Sequence, residues 1–301
     1  MKIAVIGASG FLASNLAFFF GEAFGIEIVG FSRTKSDFFA KWIPYSNPAK
    51  LATDLKESDI SHVINCAAVT SHEKAMLNPG EAHKVNASLA EDIATVASEL
   101  DIGLCHISTD AVYSGFSETP HAEEAPEEPQ NIYGASKLKG EQLVLRRHPL
   151  ALIARTNFFG WSPEAKTGIL DFFYQRLKSN QKTTGFTDYR VSSLYAGHLA
   201  QVLRDLLMSS ESGVFNIGAR EPMSKYDFGV QVAETFDFDS SLIQTGSIHN
   251  DSTLSTRGLF LGLETKKVTG LLGRVMPSTL EGLEQAKEDQ ENIFRWFGRQ
   301  I

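Results

Sequence analysis

Along the first 160 residues, short apolar runs alternate with longer stretches in which apolar side chains recur every three or four positions. The runs lie at 3–6, 27–31, 62–68, 103–109 and 151–155. Continuous apolar runs of that length predict strands covered on both faces, and the patterns at 11–24, 80–100 and 132–147 predict amphipathic helices between them. Strands alternating with helices imply an α/β fold, a doubly wound parallel sheet of the Rossmann type. The segment 36–55 is broken by Pro44, Asn47 and Pro48, and predicts only a weak strand near 50–54.

Past about residue 157 the pattern is mixed. It predicts helices at 167–179, 195–208 and 224–236, a strand at 213–217, a polar stretch at 245–257 and shorter elements to Ile301. These read as a smaller C-terminal α/β part laid across the carboxyl ends of the strands. The division expected is 1–157 for dinucleotide binding, with 190–220 returning to it, and 158–189 with 221–301 for substrate. The loop 114–131 carries Pro120, Pro126, Pro129 and five glutamates, and reads as a solvated surface loop.

Composition narrows the class. The chain has 301 residues, 43% hydrophobic and 21% charged, which excludes a disordered or collagen-like protein. A net charge of −8 without a Lys/Arg block argues against a nucleic-acid surface. The two cysteines, Cys66 and Cys105, sit in apolar runs; they make no disulfide framework or metal site and suit a reducing cytosol. The eight histidines show no metal-ligand spacing, so no metal is expected. The most apolar helix, 11–24, is interrupted by Ser14, Asn15 and Glu22 and is shorter than the ~20 residues of a membrane span. Met1-Lys2 leads straight into the first strand without the features of a signal peptide, so a cytoplasmic enzyme is expected.

Two constellations carry chemistry. Gly7-Ala8-Ser9-Gly10-Phe11-Leu12-Ala13 joins the first strand to the first helix. Gly7 permits the tight turn, Gly10 lets a diphosphate approach the backbone, and the helix N-terminus offers free N–H groups to the anion. The second strand ends in Ser32-Arg33-Thr34-Lys35, where an NAD site would place Asp or Glu. Arg33, helped by Ser32 or Lys35, instead suits a 2′-phosphate, which favours NADP(H) over NAD(H).

The fifth strand ends in Ser108-Thr109-Asp110, and Tyr133-Gly-Ala-Ser-Lys137 follows at the start of a helix. Tyr and Lys four apart share one helical face, and an ammonium beside a phenol lowers the phenol pKa, preparing Tyr133 for acid–base work. The pair alone is weak evidence, since about 0.4 such pairs arise by chance in a chain of this make-up. Tyr174 and Lys178 form a second pair with no strand-end hydroxyl before it, and read only as a helix face. The order of glycine loop, strand-end Ser-Thr and Tyr-x-x-x-Lys is what carries the argument.

With that series the chain resembles the extended short-chain dehydrogenase/reductases, most closely the dTDP-4-dehydrorhamnose reductase branch. The likeness rests on the glycine loop, Asn65-Cys-Ala-Ala68-Val-Thr70, Val85-Asn86-Ala87, Ser108-Thr109-Asp110-Ala-Val-Tyr113, Tyr133-Gly-Ala-Ser-Lys137 and Ala154-Arg155-Thr156. It continues more weakly through 213–217, 224–228 and 263–268. The resemblance implies a catalytic triad of Thr109, Tyr133 and Lys137, with the last two also touching cofactor. It implies a cofactor loop of Gly7, Ser9, Gly10, Phe11 and Leu12, an adenine border at Asp54 and Leu55, and a floor of Cys66, Ala67 and Ala68. Thr70, Thr109, Phe158, Phe159 and Arg190 would face a nucleotide-sugar substrate.

Departures exist. Ala13 replaces a third glycine, Val191-Ser192-Ser193-Leu194 replaces a usual Gly-x-Pro-Thr, and 157–160 lacks a usual Trp. The reading is an NADPH-dependent reductase of a nucleotide-linked 4-keto-6-deoxy sugar. An epimerase or dehydratase retaining its cofactor is the alternative, as is an NADP-binding regulatory subunit like that of methionine adenosyltransferase. A homodimer is left open; no nucleic acid or membrane partner is expected.

Overall fold

The computed structural model describes residues 1–165, 168–209, 211–250 and 256–300. The first residue of the helix predicted at 167–179, residues 251–255 of the polar stretch and Ile301 lie outside them. The strands of the amino-terminal half are β1 (Lys2–Ile6), β2 (Glu27–Ser32), β3 (Lys41–Pro44), β4 (His62–Asn65), β5 (Gly103–Thr109) and β6 (Leu152–Phe159). Then come β7 (Thr183–Phe186), β8 (Arg190–Val191), β9 (Ser193–Tyr195), β10 (Gly213–Ile217), β11 (Met223–Ser224), β12 (Ile243–Gly246) and β13 (Phe260–Leu261). The main sheet runs β3-β2-β1-β4-β5-β6-β10, every pair parallel, with β9 beside the end of β6. The other strands form two small sheets, β11-β8-β13 and β12-β7.

Between β1 and β4 the strand order reverses. Loops leaving their carboxyl ends diverge there and open a crevice, the place where such sheets bind ligands.

The helices are α1 (Phe11–Leu16), α2 (Pro48–Glu57), α3 (His72–Leu77), α4 (Pro79–His83), α5 (Leu89–Glu99), α6 (Ile132–Arg147), α7 (Ile169–Lys178), α8 (Ala196–Met208), α9 (Lys225–Thr235), α10 (Lys266–Leu272) and α11 (Thr279–Phe297). Alternation along β1 shows why helices cover both faces. Ala4 and Ile6 pack with Leu51 and Leu55 of α2, Ile93 of α5 and Val144 of α6. Ile3 and Val5 belong to the core cluster that also holds Leu16 of α1, Leu199 and Leu203 of α8, and the more carboxyl-terminal side chains Phe173, Phe228 and Phe294. Each strand residue thus meets a helix whichever way it points.

Three expectations need correction. The weak strand near 50–54 is the helix α2, and the third strand lies earlier, at β3. The Asn47 side chain accepts the Lys50 N–H at 2.9 Å with Pro48 at the first helical position, so the residues read as breakers are a helix start. The closing residues form a 19-residue helix, α11, opened by a capping box of Ser278 and Glu281 and closed by Gly298 at φ +68°. The acidic loop 114–131 is not simply solvated. Glu123 accepts the Asn216 N–H at 2.9 Å, and Glu127 pairs with buried Arg155.

Candidate active site

The crevice begins at Gly7, which sits at φ +86°, where a side chain is strained; a Cβ there would lie 2.7 Å from the Ala67 nitrogen. Gly7 and Ala8 donate their N–H groups to Phe31 O at 2.7 and 3.1 Å, tying the loop to β2. Gly10 caps α1 without any side-chain hydrogen bond, so the first-turn N–H groups are left to an anion. A cleft of about 560 Å³ opens here, lined by Gly7, Ser9, Gly10, Ser32, Arg33, Cys66, Ala67 and Ala68 among others. A dinucleotide fits these residues: bare backbone at the diphosphate position, a small-residue floor and an exposed guanidinium at the end of β2.

Two predicted cofactor contacts are not brought there. Asp54 and Leu55 lie on the inner side of α2, Asp54 paired with Lys50 and Leu55 in the core, and neither lines the cleft. Ser32 lines it, but its hydroxyl donates to Thr34 O at 2.6 Å and accepts from Trp42 Nε1 at 2.9 Å. In this arrangement its one proton is directed at Thr34 O rather than into the cleft. Tyr45, Asn47 and Asp92 line the cleft instead. Their signal was the Asn47-Pro48 helix start, which puts the end of β3 beside the cleft.

A second cleft of about 390 Å³ shares Gly10, Cys66 and Ala68 with the first, so the two adjoin. Phe11 and Leu12, expected in the cofactor loop, line it together with Thr70, Thr109, Tyr133, Lys137 and Phe158, expected at substrate and catalysis. Thr109 ends β5, and its hydroxyl donates to Asp110 Oδ1 at 3.1 Å. Asn131 caps α6, accepting the Gly134 N–H at 2.9 Å, which delivers Tyr133 to the cleft in the helix's first turn. His72 stacks on the Tyr133 ring at 4.8 Å, and burial pushes its pKa down to about 4, leaving a neutral imidazole.

The Tyr133–Lys137 electrostatics differ from expectation. The Lys137 Nζ points into the sheet, donating to Ile107 O at 2.6 Å and lying 3.2 Å from His106 Nε2. Burial lowers its pKa to about 8, against the pull of Glu141 and Cys66. Tyr133 is pushed up to about 12 by burial and the Asp110 charge, with the Thr109 hydroxyl working against the rise. Lys137 does not depress the phenol pKa here; burial dominates.

Phe158 stacks on Phe11 at 5.5 Å and walls the cleft. Phe159 does not face substrate: it is 0% exposed and packs on Tyr195 and Phe228, because neighbouring strand residues point to opposite faces. Arg190 is exposed on β8, and Tyr189 lines the cleft in its place. The pair Tyr174 and Lys178 sits in α7 as a cation–π contact at 5.7 Å, away from the cleft.

Sequence reasoning missed His72, Asp110, Asn157 and Tyr189, all lining the reaction cleft. Asp110 follows Thr109 directly. It accepts from Asn157 Nδ2 at 2.9 Å, and burial raises its pKa to about 6. Behind the cleft, Arg155 on β6 is 1% exposed and gathers Glu141 of α6, Glu127, the Tyr113 hydroxyl at 3.0 Å and Glu123 O at 3.4 Å. Ser108 donates to the same Glu141. Among the described residues, no helix is long and apolar enough to cross a membrane, and no cluster of three or more His, Cys, Asp or Glu could hold a metal.

The family model described as the RmlD substrate binding domain matches residues 1–291. A probable low-salt glycan biosynthesis reductase of Haloferax volcanii is 30% identical over 300 residues, covering 96% of this chain and 99% of its own. A dTDP-4-dehydrorhamnose reductase structure from Clostridium acetobutylicum superposes at TM-score 0.83 and 22% identity, covering 97% of this chain and all of its own. Another from Bacillus anthracis, solved in complex with NADP, superposes at TM-score 0.82 and 22% identity, covering 96% of this chain and 99% of its own. At such identities these two likenesses establish the shared fold.

Proposed function

The chain belongs to the RmlD substrate binding domain family, and from that premise we propose that it reduces the keto group of a nucleotide-linked 4-keto-6-deoxy sugar with NADPH. One observation carries the reading: Thr109 and Tyr133 meet in a cleft that shares Gly10, Cys66 and Ala68 with the cleft of the glycine loop. A relative aligned along nearly its whole length is named a glycan biosynthesis reductase, which agrees with this chemistry.

A bound NADPH supplies the hydride. The chain's own residues do the rest. The N–H groups after Gly10 hold the diphosphate, and Arg33 pairs with the 2′-phosphate by charge-assisted hydrogen bonds. The Thr109 hydroxyl turns to the carbonyl oxygen and polarises it. Tyr133, kept protonated by its burial, gives its proton to the alkoxide as charge develops there. Lys137, while charged, orients the nicotinamide ribose. Phe158 and Phe11 keep water from that side of the sugar.

The test follows the loss of NADPH absorbance with dTDP-, UDP- and GDP-linked 4-keto-6-deoxy sugars. Turnover that Tyr133→Phe lowers by about 10²–10⁴-fold, with cofactor binding retained, is the expected result. Purified protein that holds NAD⁺ tightly and oxidises no NADPH would overturn it in favour of an epimerase.

A further inference from the structure

Under the cleft floor lies a row of buried polar groups that the reduction does not itself use. Asn65 ends β4, and its Oδ1 accepts the Ala67 N–H at 3.1 Å. That bond fixes the amide's orientation and turns Nδ2 toward His106 Nδ1, 3.0 Å away. His106 stands beside Asn65 in the parallel register of β4 and β5 and is 0% exposed. Its other nitrogen, Nε2, lies 3.2 Å from Lys137 Nζ.

Hydrogen-bond accounting decides the protonation. A neutral imidazole has one donor and one acceptor nitrogen. Asn65 Nδ2 brings protons to Nδ1, so Nδ1 accepts and the imidazole proton sits on Nε2, facing Lys137. A group receiving that proton needs a lone pair, which an amine has and an ammonium lacks. The opposite tautomer would need Asn65 turned over, setting its NH₂ against the Ala67 N–H, donor to donor. As drawn, every contact in the row from Ala67 to Ile107 O is satisfied.

We propose that Asn65 and His106 are positioning residues which, by presenting Nε2–H to Lys137, favour its amine over its ammonium and so lower the pH at which the lysine gives up its charge. The other titratable groups facing Lys137 do not do this. Glu141 favours the ammonium and is already held by Arg155 and Ser108. Burial keeps the Cys66 thiol neutral, with its pKa pushed up to about 12. Burial alone also disfavours the ammonium; the pair adds a directed donor to that effect and couples the lysine charge to the His106 tautomer.

The proposal rests on the reductase reading for its effect on turnover, but its first test needs no turnover. Imidazole ¹⁵N spectra of the full chain, recorded above pH about 8, where Lys137 titrates, should show His106 protonated at Nε2. Finding it protonated at Nδ1 overturns the proposal. Asn65→Asp keeps an oxygen on the Ala67 N–H but replaces the donor facing His106 with an acceptor. It should move the proton to Nδ1 and raise the Lys137 titration, followed by side-chain NMR, by about one pH unit. His106→Phe, which adds no charge, should raise it in the same direction. A Lys137 titration unmoved in both variants overturns the proposal. Loss of all reductase activity in the wild type would sink the functional reading while leaving the spectra interpretable.

Discussion

Four residues apart on α6, Tyr133 and Lys137 face opposite demands from the same burial. Burial disfavours charge in each, so it raises the tyrosine to about 12 and lowers the lysine to about 8. A tyrosine acting as proton donor is therefore armed throughout the working range, and its lysine is not. The reduction rate should fall as pH rises through about 8, where Lys137 loses its charge, and stay level below that until Asp110 gains a proton near 6. Initial rates across this range check it; a rate still level on the alkaline side would mean that the ammonium contributes nothing. Arg33 offers a second residue-scale test. Arg33→Ala should raise the KM for NADPH about tenfold or more and leave that for NADH unchanged, since the lost interaction is with the 2′-phosphate. Equal losses for both cofactors would remove that role from Arg33. Thr109, Tyr133 and Lys137 were legible in the sequence because each sits where a strand ends or a helix begins. Phe159, Arg190 and Asp54 were not: one step along a strand, or one turn of a helix, separates cleft from core or solvent. Motif position alone does not say which way a side chain points.

At the scale of elements, end signals carried more information than hydrophobic periodicity. Asn47-Pro48 and Ser278-x-x-Glu281 both start helices, yet the first resembles a turn and the second lies in a polar segment. Ser278→Ala should cost about 1 kcal/mol of stability, because it removes the acceptor for the Glu281 N–H and frees its partner bond. Denaturant unfolding should show a lower midpoint with the slope unchanged. Asn47→Ala should cost a similar amount, and because Asn47 and Pro48 line the glycine-loop cleft, it should also weaken dinucleotide binding. Cofactor titration of the variant separates that effect from simple loss of stability. The long parallel strands were readable because burial on both faces makes them continuously apolar. The strands β8, β11 and β13 have two residues each, too few for any period to register.

For the molecule as a whole, the buried guanidinium of Arg155 matters more than any surface pair. It joins β6 to α6 through Glu141 and to the loop 114–131 through Glu127 and the Glu123 carbonyl. Arg155→Met leaves Glu141, 2% exposed, without its counter-charge, and should cost about 3–5 kcal/mol, seen as a large fall in the unfolding midpoint. A second change, Glu141→Gln, in the same chain should recover part of that loss, as expected when an unpaired buried charge is the cause. The partners stand 14 and 28 residues before Arg155, and the guanidinium reaches them only once β6 has paired beside β5. The helix that carries Tyr133 is therefore fastened by a strand made after it. During synthesis the glycine loop emerges first, whereas α6 gains its Arg155 contact only after residue 155 has joined the sheet. A chain that ends short of residue 155 would carry the glycine loop and the Tyr133 helix but lack the guanidinium that holds Glu141 and Glu127.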